Sequence, residues 1–487
     1  MNEELVRRAA KYADLAKFEK GVQKLAREGY FLRGVDILIN RTPGRLDLMG
    51  GNDDYTGGLV FETTIREATF VAVQPRPDRT VRFYNPAVKA WGWRDRFDFS
   101  LDDLMDRGGV VKPLAEVRAW INADPARSWS AYVLGNLYYL LKRFPEKVDH
   151  GFSLYLESDV PLGKGVSSSA ALEVAPMKAM AALYGVETSG VELASWTQWV
   201  EIALTQSACG IMDQLAVVMG DEDAFVPMLC QPCQPRPLVR LPANLRLWGI
   251  DSGVRHSVAG IEYESARAAT FMGYRLLCDR EGLEPGLDES GALPRWVEPR
   301  WNGYLANLAP SRFRRDHEGF LPEAISGGDF TMQHPVHLDP FTPVRPEVVY
   351  PVRAATRYAV EENGRVQSFV SLISKPAETI DCTTGYLLGE LMYLAHLGYS
   401  ECGLGSEATD KIVALVQEEE AGGLLGAKIT GGGAGGTVAV LGWNTPAAEK
   451  AFARVLDRYA AWSKTTPYVF TGSSPGCDKF GILRVSY

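Results

Sequence analysis

The chain has 487 residues, 46% of them apolar and 23% charged, and carries a net charge of −9 at neutral pH. That composition excludes a fibrous or low-complexity protein, and the acidic balance excludes a broad nucleic-acid face, so an anionic ligand needs a local site. The length exceeds one ordinary core and predicts two domains, residues 1–240 and 241–487.

In chain order, Leu5, Tyr12, Leu15, Phe18, Val22 and Leu25 fall at helical spacing and predict an amphipathic opening helix. Val35 to Ile39 predicts a strand. The eighteen residues from Arg41 to Gly58 then hold two arginines, three carboxylates and five glycines. Such a mixture is costly to bury as plain core, and it reads as a polar site on a loop anchored by Leu46, Leu48 and Met49, or as a solvated turn. Trp91 and Trp93 lie near a short strand, followed by an acidic run at Asp98 to Asp106, and no chemistry is assigned there.

Phe152 to Leu156 alternates like a strand, and Leu172 to Tyr184 reads as a helix. Between them runs Pro161-Leu162-Gly163-Lys164-Gly165-Val166-Ser167-Ser168-Ser169-Ala170-Ala171. Gly163 and Gly165 permit positive φ and close backbone approach. The serines bring hydroxyls to a helix N-terminus, where unpaired N–H groups and the helix dipole favour an anion. The segment is either a phosphate cradle or an ordinary strand-to-helix turn with a serine cap. Pro176 inside the helix removes a backbone bond and predicts a kink or break near Val174.

Glu192 to Ala208 reads as the next helix and carries Glu201, a position where a glutamate is ordinarily a solvated face. After Cys209-Gly210 another helix begins at Ile211, placing Asp213 in a first turn whose dipole favours its ionised form. Cys230-Gln231-Pro232-Cys233 has CxxC spacing, but no second pair accompanies it, so neither a metal nor a redox role is assigned. Leu247 to Ile250 predicts a strand entering a polar turn that ends at Arg255-His256, and a helix carrying Tyr263 and Arg267 follows. Pro322 to Pro351 holds six prolines and reads as a long extended connection or lid. Its His334 and His337 lack the company a metal site needs. Helices resume at Ala355–Ser371 and Thr384–His396. Lys428 to Val440 squeezes a glycine run between two strand-like pieces, which requires close approach to another segment or to a ligand. The chain ends in a strand, Gly481 to Val485.

Seven scattered cysteines do not read as a disulfide framework and suggest a reducing, cytoplasmic setting. No apolar run is long enough to span a membrane, and the N-terminus mixes both charge signs unlike a signal peptide.

Four motifs in order resemble the galactokinase-like branch of the GHMP kinase superfamily: Arg41-Thr42-Pro43-Gly44-Arg45 leading to Asp54-Tyr55-Thr56-Gly57-Gly58, the Pro161–Ala171 loop, Cys209-Gly210-Ile211-Met212-Asp213, and Thr430-Gly431-Gly432-Gly433-Ala434-Gly435-Gly436. The resemblance tightens toward the plant-type arabinokinases at Arg45-Leu46-Asp47, Trp248 to Gly253, Cys402 to Ser406 and Gly472 to Gly476. It implies an α+β fold of two domains with the active site in the cleft between them. It also implies an ATP-dependent sugar 1-kinase. ATP would lie along Pro161, Gly163, Lys164, Gly165, Val166, Ser167, Ser168, Ser169 and Ala170. Mg²⁺ would be held by Ser169 and Glu201, Asp213 would be the base, and Arg45 the charge beside it. Gly51, Asp54, Gly210 and Tyr263 would line the sugar, the expected partner, with no nucleic acid or membrane.

Where galactokinases have Gly-Glu-His before their Asp-Tyr, this chain has Gly50-Gly51-Asn52-Asp53. In the family, the missing glutamate and histidine contact the carbon-6 end of the sugar. Their loss favours a pentose, L-arabinose, which has no hydroxymethyl group there. Alternatively the glycine opens room for a larger substituent such as a uronic acid, against which Asp53 argues by repulsion. Galactose remains the runner-up substrate. A non-catalytic sugar and ATP sensor on the same fold is the competing class.

Overall fold

The computed structural model describes residues 7–8, 10–254 and 260–487. Leu5, Arg255 and His256 lie outside them. Of the opening periodicity, Leu15, Phe18, Val22 and Leu25 are buried on the helix Ala13–Arg27.

The first motif is strand rather than loop. Ile37–Met49 is one strand buried at every position, pairing antiparallel with Leu59–Pro75. Its polar residues tolerate this because charges meet across the sheet interior. Asp47 stands opposite Glu62, a like-charge pairing that is unfavourable by itself. The buried cations Lys428 and Arg45 offset it, at 2.7 Å from Asp47 and 2.9 Å from Glu62 respectively. The register shifts between Pro43 and Arg45, as expected where proline cannot donate to the ladder. Gly44 is needed there, since a Cβ would sit 2.5 Å from the Val166 carbonyl of the serine-rich loop.

These two strands are the centre of a nine-stranded sheet. Its main path runs Leu483–Val485, Ile37–Met49, Leu59–Pro75, Phe152–Ser158, Thr80–Tyr84, Arg96–Ser100, and Ala224–Leu229 pairs with the first half of Leu59–Pro75. Only the Thr80–Tyr84 and Phe152–Ser158 pair is parallel. A four-stranded antiparallel sheet follows, in the order Leu424–Ile429, Thr437–Trp443, Leu245–Asp251, Val469–Thr471. The strands of the smaller sheet all lie after residue 240, whereas the final strand, Leu483–Val485, returns to the larger sheet and pairs with Ile37–Ile39.

The helix after the serine loop starts earlier than its periodicity suggests, spanning Ser168–Leu183, and runs unbroken through Pro176. Pro176 is held on all sides: the helix packs on both central strands and against the helices Ser130–Arg143 and Gly190–Val200. Tertiary packing overrides the local preference. The next helix is shorter than predicted, Gly190–Val200, and passes into a wide π-type turn at Glu201–Thr205. Such turns are frequent at functional sites.

Pro322 to Pro351 is a packed element rather than an extended lid. Ile325–Ser326 pairs with Val349–Tyr350, a short helix covers Gly327–Gln333, and Leu338 and Tyr350 join the core formed with the helices Ile261–Arg280 and Val352–Ile373. The later helices, Val352–Ile373 and Cys382–Glu401, each extend a few residues beyond the predicted ends. Among the described residues, no helix is long and apolar enough to cross a membrane.

Candidate active site

The serine-rich loop is fixed from three directions. Thr430 Oγ1 donates to the Gly165 carbonyl at 2.9 Å and Thr437 Oγ1 to the Lys164 carbonyl at 2.8 Å. Arg45 supplies a third tie, donating through Nη1 to the Gly165 carbonyl at 2.6 Å. The glycine run at 431–436 is thus, in part, a docking device that lets the second sheet hold the loop. Gly163, Gly165 and Ser167 all have positive φ. For Ser167 that conformation is strained, and its buried hydroxyl has no hydrogen-bond partner among the described residues. A strained serine with an orphaned hydroxyl at a helix N-terminus is prepared for an anion.

Beside this loop lies a cavity of about 240 Å³, lined among others by Arg45, Asn52, Asp54, Gly163, Gly165, Ser167, Ser168, Ser169, Glu201, Gly210, Asp213, Tyr263 and Gly432. It is smaller than the roughly 300–1,000 Å³ of drug-sized sites, and suits a small polar molecule together with the end of a phosphate chain.

Arg45 is 2% exposed and forms the cavity's electrostatic hub. Nη2 lies 2.7 Å and Nε 3.0 Å from Asp213 Oδ1, and the same Nε lies 2.9 Å from Glu62 Oε2. Burial by itself would lower the Arg45 pKa, but Asp213 and Glu62 together raise it. Arg45 therefore stays charged and pairs with Asp213 at the cavity wall.

Glu201 stands where the Gly190–Val200 helix opens into the π-type turn. Gln214 Nε2 donates to its Oε2 at 2.7 Å, and Ser169 lies in hydrogen-bonding reach. Burial, then the charge of Asp213, pushes the Glu201 carboxyl up to about 7. A cation at this position would relieve that strain. The hydroxyl and carboxylate oxygens are hard donors of the kind Mg²⁺ takes, with water and phosphate completing its shell. Among the described residues, no three His, Cys, Asp or Glu side chains converge as a protein-only metal cage.

Asp54 accepts from the Met212 N–H at 3.2 Å, and burial followed by Asp213 pushes it up to about 6. Gly210 lies so near that a Cβ would be 1.6 Å from Asp54 Oδ2. Tyr263 completes this side.

Three expectations are corrected. Gly51 does not line the cavity: a Cβ there would meet Tyr399 Oη at 2.0 Å and Asp47 Oδ2 at 2.2 Å. It is a packing position, and opens no room for a larger sugar. Asp53 is fully buried beneath the turn and bonded to Thr56, so it repels no substrate. Lys164 is turned to Asp251, 2.9 Å away. Lys164, Pro161, Val166 and Ala170 shape the loop without lining the cavity, Val166 and Ala170 as core side chains.

Asn52 was missed by sequence reasoning. It is 3% exposed, has φ 59°, and neither its amide nitrogen nor its oxygen has a partner among the described residues. The available signal was an asparagine in a glycine-rich turn, a residue that tolerates the left-handed region. Tyr132, on the helix Ser130–Arg143, also lines the cavity and was missed, because a tyrosine on an amphipathic helix carries no signal.

Models of known families match three segments of the chain. The galactokinase galactose-binding signature matches residues 33–75, the GHMP kinases N terminal domain 131–221 and the GHMP kinases C terminal domain 383–461. The chain is 36% identical over 505 aligned positions to L-arabinokinase of Arabidopsis thaliana, covering 95% of this chain and 48% of that protein. It is 31% identical over 404 positions to galactokinase of Chloroflexus aurantiacus, covering 83% of each. A galactokinase of Chloroflexus aggregans is 37% identical over 239 positions, 49% of this chain and 55% of that one. The chain thus spans about half the length of two of these curated relatives. Lactococcus lactis galactokinase complexed with galactose shares the fold with a TM-score of 0.71 over 96% of this chain and 100% of that one, at 19% identity. The chain belongs to the GHMP kinase family, and within it to the galactokinase-like branch.

Proposed function

We propose that the chain is an ATP-dependent kinase that phosphorylates the anomeric hydroxyl of a monosaccharide, converting L-arabinose to L-arabinose 1-phosphate. The observation that carries this reading is the convergence of Arg45, Ser169, Glu201 and Asp213 on one cavity at the N-terminus of Ser168–Leu183. The 36% identity to an L-arabinokinase supports the choice of sugar.

Phosphoryl transfer asks for positioning and charge neutralisation more than for covalent chemistry. The anomeric oxygen forms the new bond to the γ-phosphorus, the bond from that phosphorus to the β-γ bridging oxygen breaks, and ADP leaves with the electron pair. Asp213 accepts the anomeric proton, which is more acidic than that of an ordinary alcohol. Arg45 pairs with Asp213 and offsets charge growing at the attacking oxygen. Its bond to the Gly165 carbonyl links that step to the loop that cradles the phosphates. Ser169 and Glu201 would hold Mg²⁺, which when bound neutralises the terminal phosphates. Asp54, Asn52 and Tyr263 orient the sugar. A reducing, cytoplasmic location fits seven unpaired cysteines, five of them buried.

A coupled ADP-release assay with L-arabinose, galactose and glucuronate tests the reading. Turnover on L-arabinose exceeding the others is expected. Turnover on galactose alone would reverse the substrate, and ligand-dependent melting shifts with no ADP from any sugar would favour a sensor.

A further inference from the structure

The proline-rich segment 322–351 has no role in the chemistry above, yet it sends one carboxylate into the protein. Asp339 is 4% exposed and meets the 3% exposed Arg267 in a bidentate pair, with Nε–Oδ2 2.8 Å and Nη2–Oδ1 3.0 Å. Asp339 is held in turn by Thr342 Oγ1 at 2.6 Å and by the Phe341 N–H at 3.3 Å. Burial by itself would raise the Asp339 carboxyl, but Arg267 keeps it below its ordinary value, so the pair is ionic.

The other edge of the same guanidinium faces the cavity wall. Arg267 Nη1 donates to the carbonyls of Ala208 and Cys209 at 3.2 and 3.3 Å. These carbonyls belong to the irregular stretch between the π-type turn and the Asp213 helix, which has no ladder of its own to satisfy them. Cys209 and Gly210 line the cavity, and the Met212 N–H that follows anchors Asp54. The guanidinium carbon lies 4.8 Å from the Tyr55 ring centre and 5.5 Å from that of Phe341. Tyr55 packs edge-on against Tyr263, one helical turn before Arg267, with ring centres 6.3 Å apart.

We propose that Asp339 and Arg267 are a positioning pair for the sugar side of the active site, through which the proline-rich segment sets the 208–212 turn, Asp54 and Tyr263. This inference rests on the sugar-kinase reading for its substrate but not for its geometry. A guanidinium fixed bidentately on one edge presents its other N–H groups in one orientation only. Loss of Asp339 frees that orientation, and small misplacements of binding groups cost large factors in rate. The phosphate loop is held by different residues, Thr430, Thr437 and Arg45, so nucleotide binding stands apart from this pair.

The test uses the full chain carrying Asp339→Asn, with Thr342→Val as a milder variant that removes one support of the carboxylate. Two readouts are taken: steady-state KM for sugar and for ATP with kcat, and amide hydrogen exchange of the 206–212 stretch. For Asp339→Asn the expected result is a sugar KM raised about tenfold, a kcat lowered several-fold, an ATP KM within about twofold of the parent, and faster exchange at 206–212. Thr342→Val shifts each in the same direction by less, and decides the matter if Asp339→Asn does not fold. Unchanged exchange at 206–212, or equal rises in both KM values, overturns the proposal. If the parent chain phosphorylates no sugar, the functional reading fails while the exchange comparison still decides the positioning role.

Discussion

Replacing Arg45 by methionine separates its structural role from its chemical one. The substitution deletes the guanidinium that stands between Glu62 and Asp213, at 2.9 and 2.7 Å. Glu62 is 0% exposed, burial pushes its carboxyl well above the ordinary value, and the variant removes the cation that most opposes that rise. Removing one member of a buried ion pair costs about 3–5 kcal/mol, and the lost bond to the Gly165 carbonyl adds about 1 kcal/mol. Arg45→Met is therefore expected to be destabilised by up to roughly 4–6 kcal/mol in denaturant unfolding, the sum of those two effects, and by less where Glu62 takes up a proton in place of its lost cation. Adding Glu62→Gln removes the stranded carboxylate, so the double variant should recover most of that loss. Turnover behaves differently. Removing a group that stabilises charge at the reacting oxygen costs about 10²–10³ in kcat, and the double variant should stay as slow as the single one. Equal instability of single and double variants would refute the pairing, and parent-like kcat in either would refute the catalytic role of Arg45.

Asp54, raised to about 6 in the fold, binds more protons folded than unfolded. Its contribution to stability is fully present below pH 4 and is lost as pH rises through about 6. Asp54→Asn should thus stabilise the ligand-free chain by up to about 3 kcal/mol at pH 7 and by little at pH 4, measured by urea unfolding at both. The same variant should weaken sugar use at every pH, and in the parent chain kcat/KM should fall as pH drops through about 6. Asn52→Gly should leave stability near that of the parent chain in urea unfolding, because glycine accepts the φ of 59° and the change removes two buried polar atoms unpartnered among the described residues, while raising the sugar KM about 10–100-fold in steady-state assays. Lys164→Met should change turnover by less than about tenfold, since its ammonium pairs with Asp251 rather than facing the cavity, and Ser169→Ala should cost clearly more in the same ADP-release assay.

The serine-rich loop, its strand and its helix were legible because strand alternation, glycine turns and helix capping are local properties. The galactokinase-like motifs then named Arg45, Ser169, Glu201 and Asp213, and all four line one cavity. Gly51 was misread for a reason of the opposite kind. Its neighbours in space, Asp47 and Tyr399, are respectively close and very distant in sequence, so the closed packing there could not be inferred from the motif. Arg41 to Met49 was misread as loop because polar residues argue against a buried strand unless their partners are known, and Lys428 lies 381 residues from Asp47. Pro176 was expected to break a helix that surrounding layers keep intact.

The sequence by itself determined where an anion-binding turn could form, which side chains could carry a proton or a cation, and to which family the motifs point. Backbone conformation near glycine, serine and asparagine depends on the residues adjacent in the chain, and chemical identity depends on nothing else. Tertiary structure alone decided that Arg45 faces both Glu62 and Asp213, that Lys164 turns away to Asp251, that the Asn52 side-chain amide has no partner among the described residues, and that Asp339 reaches Arg267. Each of the ion pairs among these is a contact between charged groups brought out of water together. Its energy depends on distance and burial, which exist only once both sheets and the helices around them have closed over the site.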